Sequence, residues 1–439
     1  MARLSRLLWA PLSRKFAQQL EYYSQFQPSS LTIQQYLDFG RSGNQKSSYL
    51  FLRKEVLVRL ANIMSEIHLL PPELLKQPSC RLLQEWYEQS FHDVEAYEAT
   101  TPSGSSLHSF NECLQKVLKR HAHVVETMAE GLLELKQSYG VNISSEKNIQ
   151  YFLDRFYINR ISIRMLMNQH LLLFGSVLPE SPRHVGCIDP VCDVKSVVLD
   201  AYENARFLCD RYYMAAPGVK LESTDASHDG IVEGEDVGNN SRGVGGGYSL
   251  GRRKKQHLVA LGTEDDVTVT AVPAHLYHIV FELIKNAMRA EVEHFGPDAD
   301  LPDIKIFIVK GKEDLSIKIC DRGGGLSRSI LDTVFNYMYS TAPPPPRDGT
   351  QAPLAGYGYG LPLSRLYARY FHGDLFLVSM EGFGTDACVY TKAVSQEASE
   401  LLPVYTSGVK KTYRQSKRIA DWSQTHGSGP AGGQNEQRI

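Results

Sequence analysis

Four short stretches carry residues whose types and spacing suit phosphate chemistry. Glu282-Leu-Ile-Lys-Asn286 offers a carboxylate and an amide one helical turn apart, and Asp321-Arg-Gly-Gly-Gly325 a carboxylate followed by glycines. Gly356-Tyr-Gly-Tyr-Gly-Leu361 alternates glycines, and Gly382-Phe-Gly-Thr385 forms a second glycine turn. A positioned carboxylate can take a proton from an incoming hydroxyl, directly or through water. An amide oxygen suits Mg²⁺, which keeps several waters and phosphate oxygens as its other ligands. Alternating glycines at a helix entrance free backbone N–H groups for phosphate oxygens. In this order the four stretches are equipment for holding Mg-ATP and activating a nucleophile beside its γ-phosphate.

The elements that must position these groups are legible locally. Ala274 to Glu293 is an amphipathic helix whose Leu276, Ile279, Val280, Leu283 and Ala287 share an arc facing a core. His278, Glu282, Asn286 and Arg289 lie on the other arc, spaced four, four and three apart, and so neighbour one another. Such a face is also what an ordinary surface helix presents. In the strand Leu315 to Cys320, Leu315, Ile317 and Ile319 share one face, which Asp321 continues. A carboxylate on the buried side needs a donor, and an adenine amino group would serve. Gly323 and Gly325 let backbone pass close to the base; the alternative is a solvent turn. The G-x-G-x-G spacing of 356–360 follows Pro343-Pro-Pro-Pro346 rather than a strand, so a dinucleotide fingerprint fails on context. Tyr339 and the loop to Ala355 would form a lid, with Ser340 and Thr341 in reach of phosphate. Gly382 to Thr385 reads equally as a plain hairpin turn.

The first part of the chain reads as helix after helix: Tyr49 to Leu70, Cys80 to Tyr97, Leu107 to Tyr139 and Asn148 to Phe174. Their lengths and periodicity predict an antiparallel four-helix bundle. After Pro190 one more helix (Val194 to Met214) leads into strands at Val267 to Val272, Ile304 to Val309, Leu315 to Cys320, Leu375 to Met380 and Ala387 to Val394. Helices intervene, a second one at Leu361 to Phe371, so the second part is an α/β layer and the fold class α+β. Ser223 to Gly262, rich in Gly, Asp, Ser and Asn, reads as a solvated insertion, its Arg252-Arg-Lys-Lys255 a charge run. Domain bounds follow at 21–185 and 190–395, with a tail from 396 to 439.

Apolar content of 42% and charged content of 22% are ordinary for a soluble chain of 439 residues. A net charge of -2 gives no electrostatic footprint for nucleic acid, and no run approaches the roughly 20 apolar residues that span a bilayer. Seven scattered cysteines without zinc-site spacing read as reduced structural thiols. Residues 1–20 carry Arg3, Arg6, Arg14 and Lys15 between Leu4, Leu7, Leu8 and Leu12, with no acid before Glu21. That suits an amphipathic mitochondrial presequence, or a basic N-terminal helix.

The four stretches resemble the asparagine box and three glycine boxes of the Bergerat ATP-binding fold, which implies an α/β sandwich with a mixed sheet. Longer strings resemble the pyruvate dehydrogenase kinase family: Asn148-Ile-Gln-Tyr-Phe-Leu-Asp-Arg-Phe-Tyr157, Arg160-Ile-Ser-Ile-Arg164, His275-Leu-Tyr-His278, Tyr337-Met-Tyr-Ser-Thr-Ala-Pro343 and Gly360-Leu-Pro-Leu-Ser-Arg-Leu-Tyr-Ala-Arg-Tyr-Phe371. The match runs from about Tyr22 to Tyr405. The resemblance implies a mitochondrial-matrix homodimer that phosphorylates serines of the E1α subunit and docks the lipoyl domain of the E2 core. It implies Glu282 as general base, His278 as the neighbour tuning it, and Asn286 as Mg²⁺ ligand. The whole box (Glu282, Leu283, Ile284, Lys285, Asn286, Ala287, Met288, Arg289) would serve the nucleotide. Asp321 with Gly323, Gly325 and Thr385 would take adenine, and Ser340 and Thr341 would belong to the lid. Gly356, Tyr357, Gly358, Tyr359, Gly360 and Leu361 would take phosphates. Arg160 and Tyr87 match a site sensing pyruvate-like acids.

The branched-chain 2-oxoacid dehydrogenase kinase shares the boxes; Asp421-Trp422, resembling the Asp-Trp pair of dimer tails, favours pyruvate. A sensor histidine kinase would need an acceptor histidine, and His121, His123 and His170 lack the acidic neighbour of such sites. A non-catalytic ATP-dependent scaffold is the remaining alternative.

Overall fold

The computed structural model describes residues 14–175, 182–227, 258–264, 266–341 and 357–405. Its first half is helical: α1 (Arg14–Tyr23), α2 (Ile33–Ser42), α3 (Gln45–Ile67), α4 (Pro72–Leu75), α5 (Pro78–Glu95), α6 (Gly104–Arg120), α7 (Val124–Tyr139) and α8 (Lys147–Phe174). Thr32, Asn44 and Ser103 start α2, α3 and α6 with reciprocal capping boxes, which satisfy N–H groups the helices leave orphaned. α3 packs on both α5 and α8, so Leu52, Val56, Leu57, Leu60 and Ile63 are buried around much of its circumference.

The expected third helix, Leu107 to Tyr139, is in fact two, α6 and α7, separated by a turn at 121–123. His121 is drawn inward there, its ring 4.5 Å from that of Tyr87 and its Nε2 2.9 Å from the Ser90 hydroxyl. Tertiary contacts overrode an uninterrupted helical pattern. The expected presequence, 1–20, also overlaps a packed element. Residues 1–13 lie outside the described residues, whereas Phe16 and Leu20 of α1 are buried, with Phe16 5.4 Å from the Phe91 ring of α5.

The second half comprises β1 (Asp189–Asp193), α9 (Val194–Tyr213), β2 (Val219–Asp225), β3 (Leu258–Glu264), β4 (Thr268–Ala271), α10 (Pro273–Phe295), β5 (Ile304–Lys310), β6 (Asp314–Cys320), α11 (Arg328–Leu331), α12 (Gly360–Tyr370), β7 (Asp374–Met380) and β8 (Gly384–Lys392). β3-β2-β5-β6-β8-β7 is a six-stranded mixed sheet, with β2 parallel to β3 and β5 and the remaining neighbours antiparallel. The chain is thus α+β. β4 stands outside this sheet and pairs with β1. Both flanks of the expected insertion are strand: β2 runs to Asp225 and β3 begins at Leu258, so only 228–257, with the Arg252 run, lies outside the described residues. Val219, Leu221 and Ser223 alternate inward, a period of two that the polar composition around them obscured.

α9 and α10 pack on each other, and their apolar stripes close over Ile304, Ile306, Ile308, Leu315, Ile317 and Ile319. All seven cysteines are free thiols. Among the described residues no helix is long and apolar enough to cross a membrane. The 406–439 segment, including Asp421-Trp422, lies outside them.

After β8 the chain returns to the helical half and inserts Glu400, only 2% exposed. Its carboxylate accepts from Arg59 Nη1 and Nη2 at 3.1 and 2.8 Å, from Leu31 N at 3.1 Å and from Tyr36 OH at 2.8 Å. Tyr370, the last residue of α12, donates to it as well. Arg59 is fully buried and also donates to Glu55 at 2.8 Å. Removing one member of such a pair leaves an uncompensated charge, at a cost of about 3–5 kcal/mol. Glu400→Ala should therefore lower unfolding free energy by that amount in urea titrations. A loss under about 1 kcal/mol, as for exposed pairs, would show the network to be solvated.

Candidate active site

α10 begins with Pro273 at its first turn and ends at Gly296. It buries Leu276, Ile279, Val280, Leu283, Ile284, Ala287 and Met288 against the sheet. Its opposite side floors a cavity of about 470 Å³ to which Glu282, Asn286, Asp321, Gly323, Gly325 and Thr385 all contribute. Leu283, Lys285, Ala287, Arg289, Ser340, Thr341, Gly358, Gly360 and Leu361 line it too. Ile284 and Met288 do not, because at 0% exposure they point from the helix into the core. Tyr359 is buried away from the cavity against Tyr157 and Tyr337, and Tyr357 is exposed. Gly356 and the loop 342–355 lie outside the described residues.

The end of the cavity at Asp321 is built by close approach. Gly323 lies so near α10 that a Cβ there would stand 2.5 Å from the Ala290 carbonyl carbon. Asp321 Oδ1 accepts from Gly323 N at 2.9 Å and Thr385 N at 3.2 Å. Among the described residues no protein donor reaches Oδ2. Burial raises the Asp321 carboxyl to about 6 against the pull of these two amides. The β7–β8 turn is more than a hairpin, since Gly382 N donates to Gly324 O at 2.7 Å and ties it to this loop. Thr385 Oγ1 and Ser379 Oγ are 2.9 Å apart, and Ser379 accepts from Leu326 N at 2.7 Å.

At the other end the Glu282 carboxylate is held by Lys285 Nζ at 2.6 Å. A Cβ on Gly360 would stand 2.3 Å from Glu282 Oε2, so the start of α12 lies directly against this carboxylate. Arg289 donates to Glu293 at 2.8 Å and to Thr341 Oγ1 at 3.3 Å. His278 makes no hydrogen bond to Glu282: its ring is 4.7 Å from that of Tyr367 and its Nε2 is buried without a partner. Burial lowers its pKa, the Glu282 charge opposing, so it is neutral at physiological pH. Helix spacing makes His278 a neighbour of Glu282, whose charge is felt there; the hydrogen bond to Glu282 comes from Lys285.

Two residues of consequence escaped the sequence reading. Glu291, fully buried, accepts from Arg322 N at 3.1 Å with Oε1 and leaves Oε2 unpartnered. Its place on the apolar arc of α10, four residues past Ala287, was the available signal. Arg164 is the other. It and Arg160 lie one turn apart on α8, and among the described residues neither forms an ion pair. Arg160 Nε and Arg164 Nη1 are buried without acceptors. Arg160 Nη2 donates to the carbonyls of His121 and Ala122 at 3.3 and 3.4 Å, which the α6–α7 break releases. The buried Tyr87 completes this cluster, its phenol pushed upward by burial while Arg160 and Arg164 act against the shift. His121 and His170 are buried and hydrogen-bonded, to Ser90 and to Ser48 and Asn111, which leaves neither as a surface phosphoacceptor.

The α/β half matches the family of histidine kinase-, DNA gyrase B-, and HSP90-like ATPases over residues 271–395. The helical half matches the family described as mitochondrial branched-chain alpha-ketoacid dehydrogenase kinase over residues 30–189. Fold and site thus define a dehydrogenase kinase built on an ATPase-type nucleotide fold. A Caenorhabditis elegans protein named probable pyruvate dehydrogenase (acetyl-transferring) kinase, mitochondrial, is 62% identical over 421 residues, 96% of either chain. An Ascaris suum pyruvate dehydrogenase kinase is 60% identical over 420 residues, 96% of this chain and 97% of its own. Human isozyme 3 is 48% identical over 94% of each. The chain belongs to the pyruvate dehydrogenase kinase family.

Burial sets a pH signature. Glu291 titrates near 7 and Asp321 near 6, both raised by burial above ordinary carboxyls. Between about pH 4 and 7 the folded state therefore holds protons that the unfolded chain has lost, and this contribution to stability fades as pH rises. Buried His121 and His275, lowered to about 3, act in the opposite sense below pH 6.5. The informative quantity is thus a difference. Glu291→Gln should melt with wild type at pH 5 and several degrees above it at pH 8. A constant offset would mean that Glu291 is not a buried titrating group.

Proposed function

We infer that the chain is an ATP-dependent protein serine kinase that phosphorylates the E1α subunit of pyruvate dehydrogenase in the mitochondrial matrix and so inactivates the complex. The observation that carries the nucleotide part is convergence: a proton acceptor, a metal-suited amide and a buried carboxylate face one cavity. The names of the relatives support the substrate and the compartment. The absence of Glu282 from any carboxylate cluster fits Mg²⁺ rather than a metal caged by protein, since the described residues hold no such cluster. Asn286 would supply its protein ligand, and bound Mg²⁺ would neutralise developing phosphate charge.

In this reading Asp321 accepts the adenine amino group through Oδ2, and the α12 N-terminus faces phosphate oxygens. Lys285 is placed to exchange its bond with Glu282 for a phosphate oxygen, freeing Glu282 to take the serine proton. Ser340 and Thr341 close the phosphate end. The helical half acts as a four-helix bundle that docks the lipoyl domain of the E2 core. Arg160, Arg164 and Tyr87 hold a small carboxylate such as pyruvate, for which an unpaired guanidinium offers two parallel donors. The outward side chains Phe376, Val378 and Met380 of edge strand β7 support a homodimer.

Incubating the purified chain with Mg-ATP and, separately, pyruvate and branched-chain E1 proteins tests this reading. Phosphoserine on the pyruvate E1α subunit is expected, and phosphate on the branched-chain protein alone would overturn it. Glu282→Gln should lower phosphoryl transfer about 10²–10⁴-fold and leave ATP affinity nearly intact in calorimetry. Transfer at the wild-type rate would remove Glu282 from its role. Arg160→Ala should relieve inhibition by pyruvate or dichloroacetate, measured with ADP present, while melting within a few degrees of wild type. Full inhibition of the folded variant would dismiss the arginine site.

A further inference from the structure

α8 carries a second set of polar contacts, two turns before Arg160. The side-chain amide of Gln150 pairs with the backbone of Tyr337 in both senses: Oε1 accepts from Tyr337 N at 2.7 Å and Nε2 donates to Tyr337 O at 3.2 Å. Since a backbone N–H can only donate and a carbonyl only accept, this orientation of the amide is required. Nε2 also donates to Ile143 O at 3.0 Å, which fixes the side chain from the other side. One turn later Asp154 Oδ1 accepts from the Tyr337 hydroxyl at 3.0 Å, and Asn336 Nδ2 donates to Ser144 O at 2.9 Å. Tyr337 is only 1% exposed.

Tyr337 stands two residues before Tyr339, Ser340 and Thr341, which line the cavity at the end read as binding phosphate. Between them Met338 takes φ +65°, a left-handed conformation that costs a residue with a Cβ and persists only when both neighbours are held. The Tyr337 ring is 5.3 Å from that of Tyr359, which directly precedes Gly360 beside Glu282. The backbone of Tyr339 lies against Gly358, where a Cβ would stand 2.3 Å from the Tyr339 carbonyl oxygen. Both rims of the phosphate end are therefore referred to one tyrosine, and that tyrosine is referred to α8.

We propose that Gln150, assisted by Asp154, is a positioning residue for the phosphate end of the nucleotide cavity, acting through Tyr337. This rests on the reading of the cavity as an ATP site. The adenine end, built by Asp321, Gly323 and Thr385, makes no hydrogen bond to Tyr337 or α8. The effect is thus confined to ligands that carry phosphates.

The test compares MgATP with adenosine by calorimetry on the full chain. Loss of the two-way amide pairing in Gln150→Ala should weaken MgATP about tenfold, the scale of one buried hydrogen-bond pair, and leave adenosine unchanged. Gln150→Met, which keeps the side-chain length but neither pairing, should show the same selective loss and stands in if the alanine variant fails to fold. Tyr337→Phe, lacking only the bond to Asp154, should show a smaller loss of the same kind. Wild-type MgATP affinity in Gln150→Ala overturns the proposal. So does equal weakening of adenosine and MgATP, which would mark a merely structural residue. Asp321→Ala separates the premise: if it loses neither ligand, the ATP-site reading itself is wrong, whereas loss of both with Gln150→Ala unaffected rejects the positioning role alone.

Discussion

The approach of the loop after β6 to the backbone of α10 is the contact on which the site depends. Only glycine at 323 permits it, because any side chain would meet Ala290 main chain at 2.5 Å. That approach brings a strand-end carboxylate, Asp321, alongside the polar side of a helix whose other side is committed to the core. The cavity is the space left between them, and its polarity follows from which arc of α10 the sheet has claimed. The apolar effect thus fixes the rotation of α10, and the rotation decides that Glu282 and Asn286 are available while Ile284 and Met288 are not.

The cavity is not built by the α/β half alone. The rim formed by Tyr339, Ser340 and Thr341 follows Tyr337, which is bonded to Gln150 of the helical half, and the end of α12 is tied there by Tyr370 and Glu400. Arg59 and Glu400 are costly to bury, and tyrosines, a backbone amide, the Ser29 carbonyl and a second carboxylate supply them with further partners. The two halves therefore share polar contacts at two places flanking α12, while among the described residues Arg160 and Arg164 form no ion pair. Gln150, Asp154, Arg160 and Arg164 all lie on α8, a helix of 28 residues.

Charge placement inside the cavity follows the same logic of burial. Asp321 and Glu291 are both raised chiefly by burial, and the Asp321 charge adds to the upward shift of Glu291. Glu282 is placed differently, against Lys285 Nζ at 2.6 Å and beside Gly360 at the start of α12.

What was legible in the sequence was local. The 3.6-residue period placed α10 and its two arcs, and the two-residue period of Leu315, Ile317 and Ile319 carried Asp321 onto the buried face, because both depend only on backbone geometry within one element. The resemblance of whole strings then named the family. Tertiary structure alone decided the rest. The break at 121–123 comes from Tyr87 and Ser90, about 30 residues away in the chain, and pattern reading within one helix has no access to them. Strand β2 was hidden in polar sequence because what makes it a strand is backbone pairing with β3 and β5, which are distant in the chain. Lys285 rather than His278 meets Glu282 because rotamers and packing against Tyr367, not helical spacing, choose among neighbours. That no described acid pairs with Arg160 or Arg164 is likewise a property of how the helices pack, and spacing along one helix does not contain it.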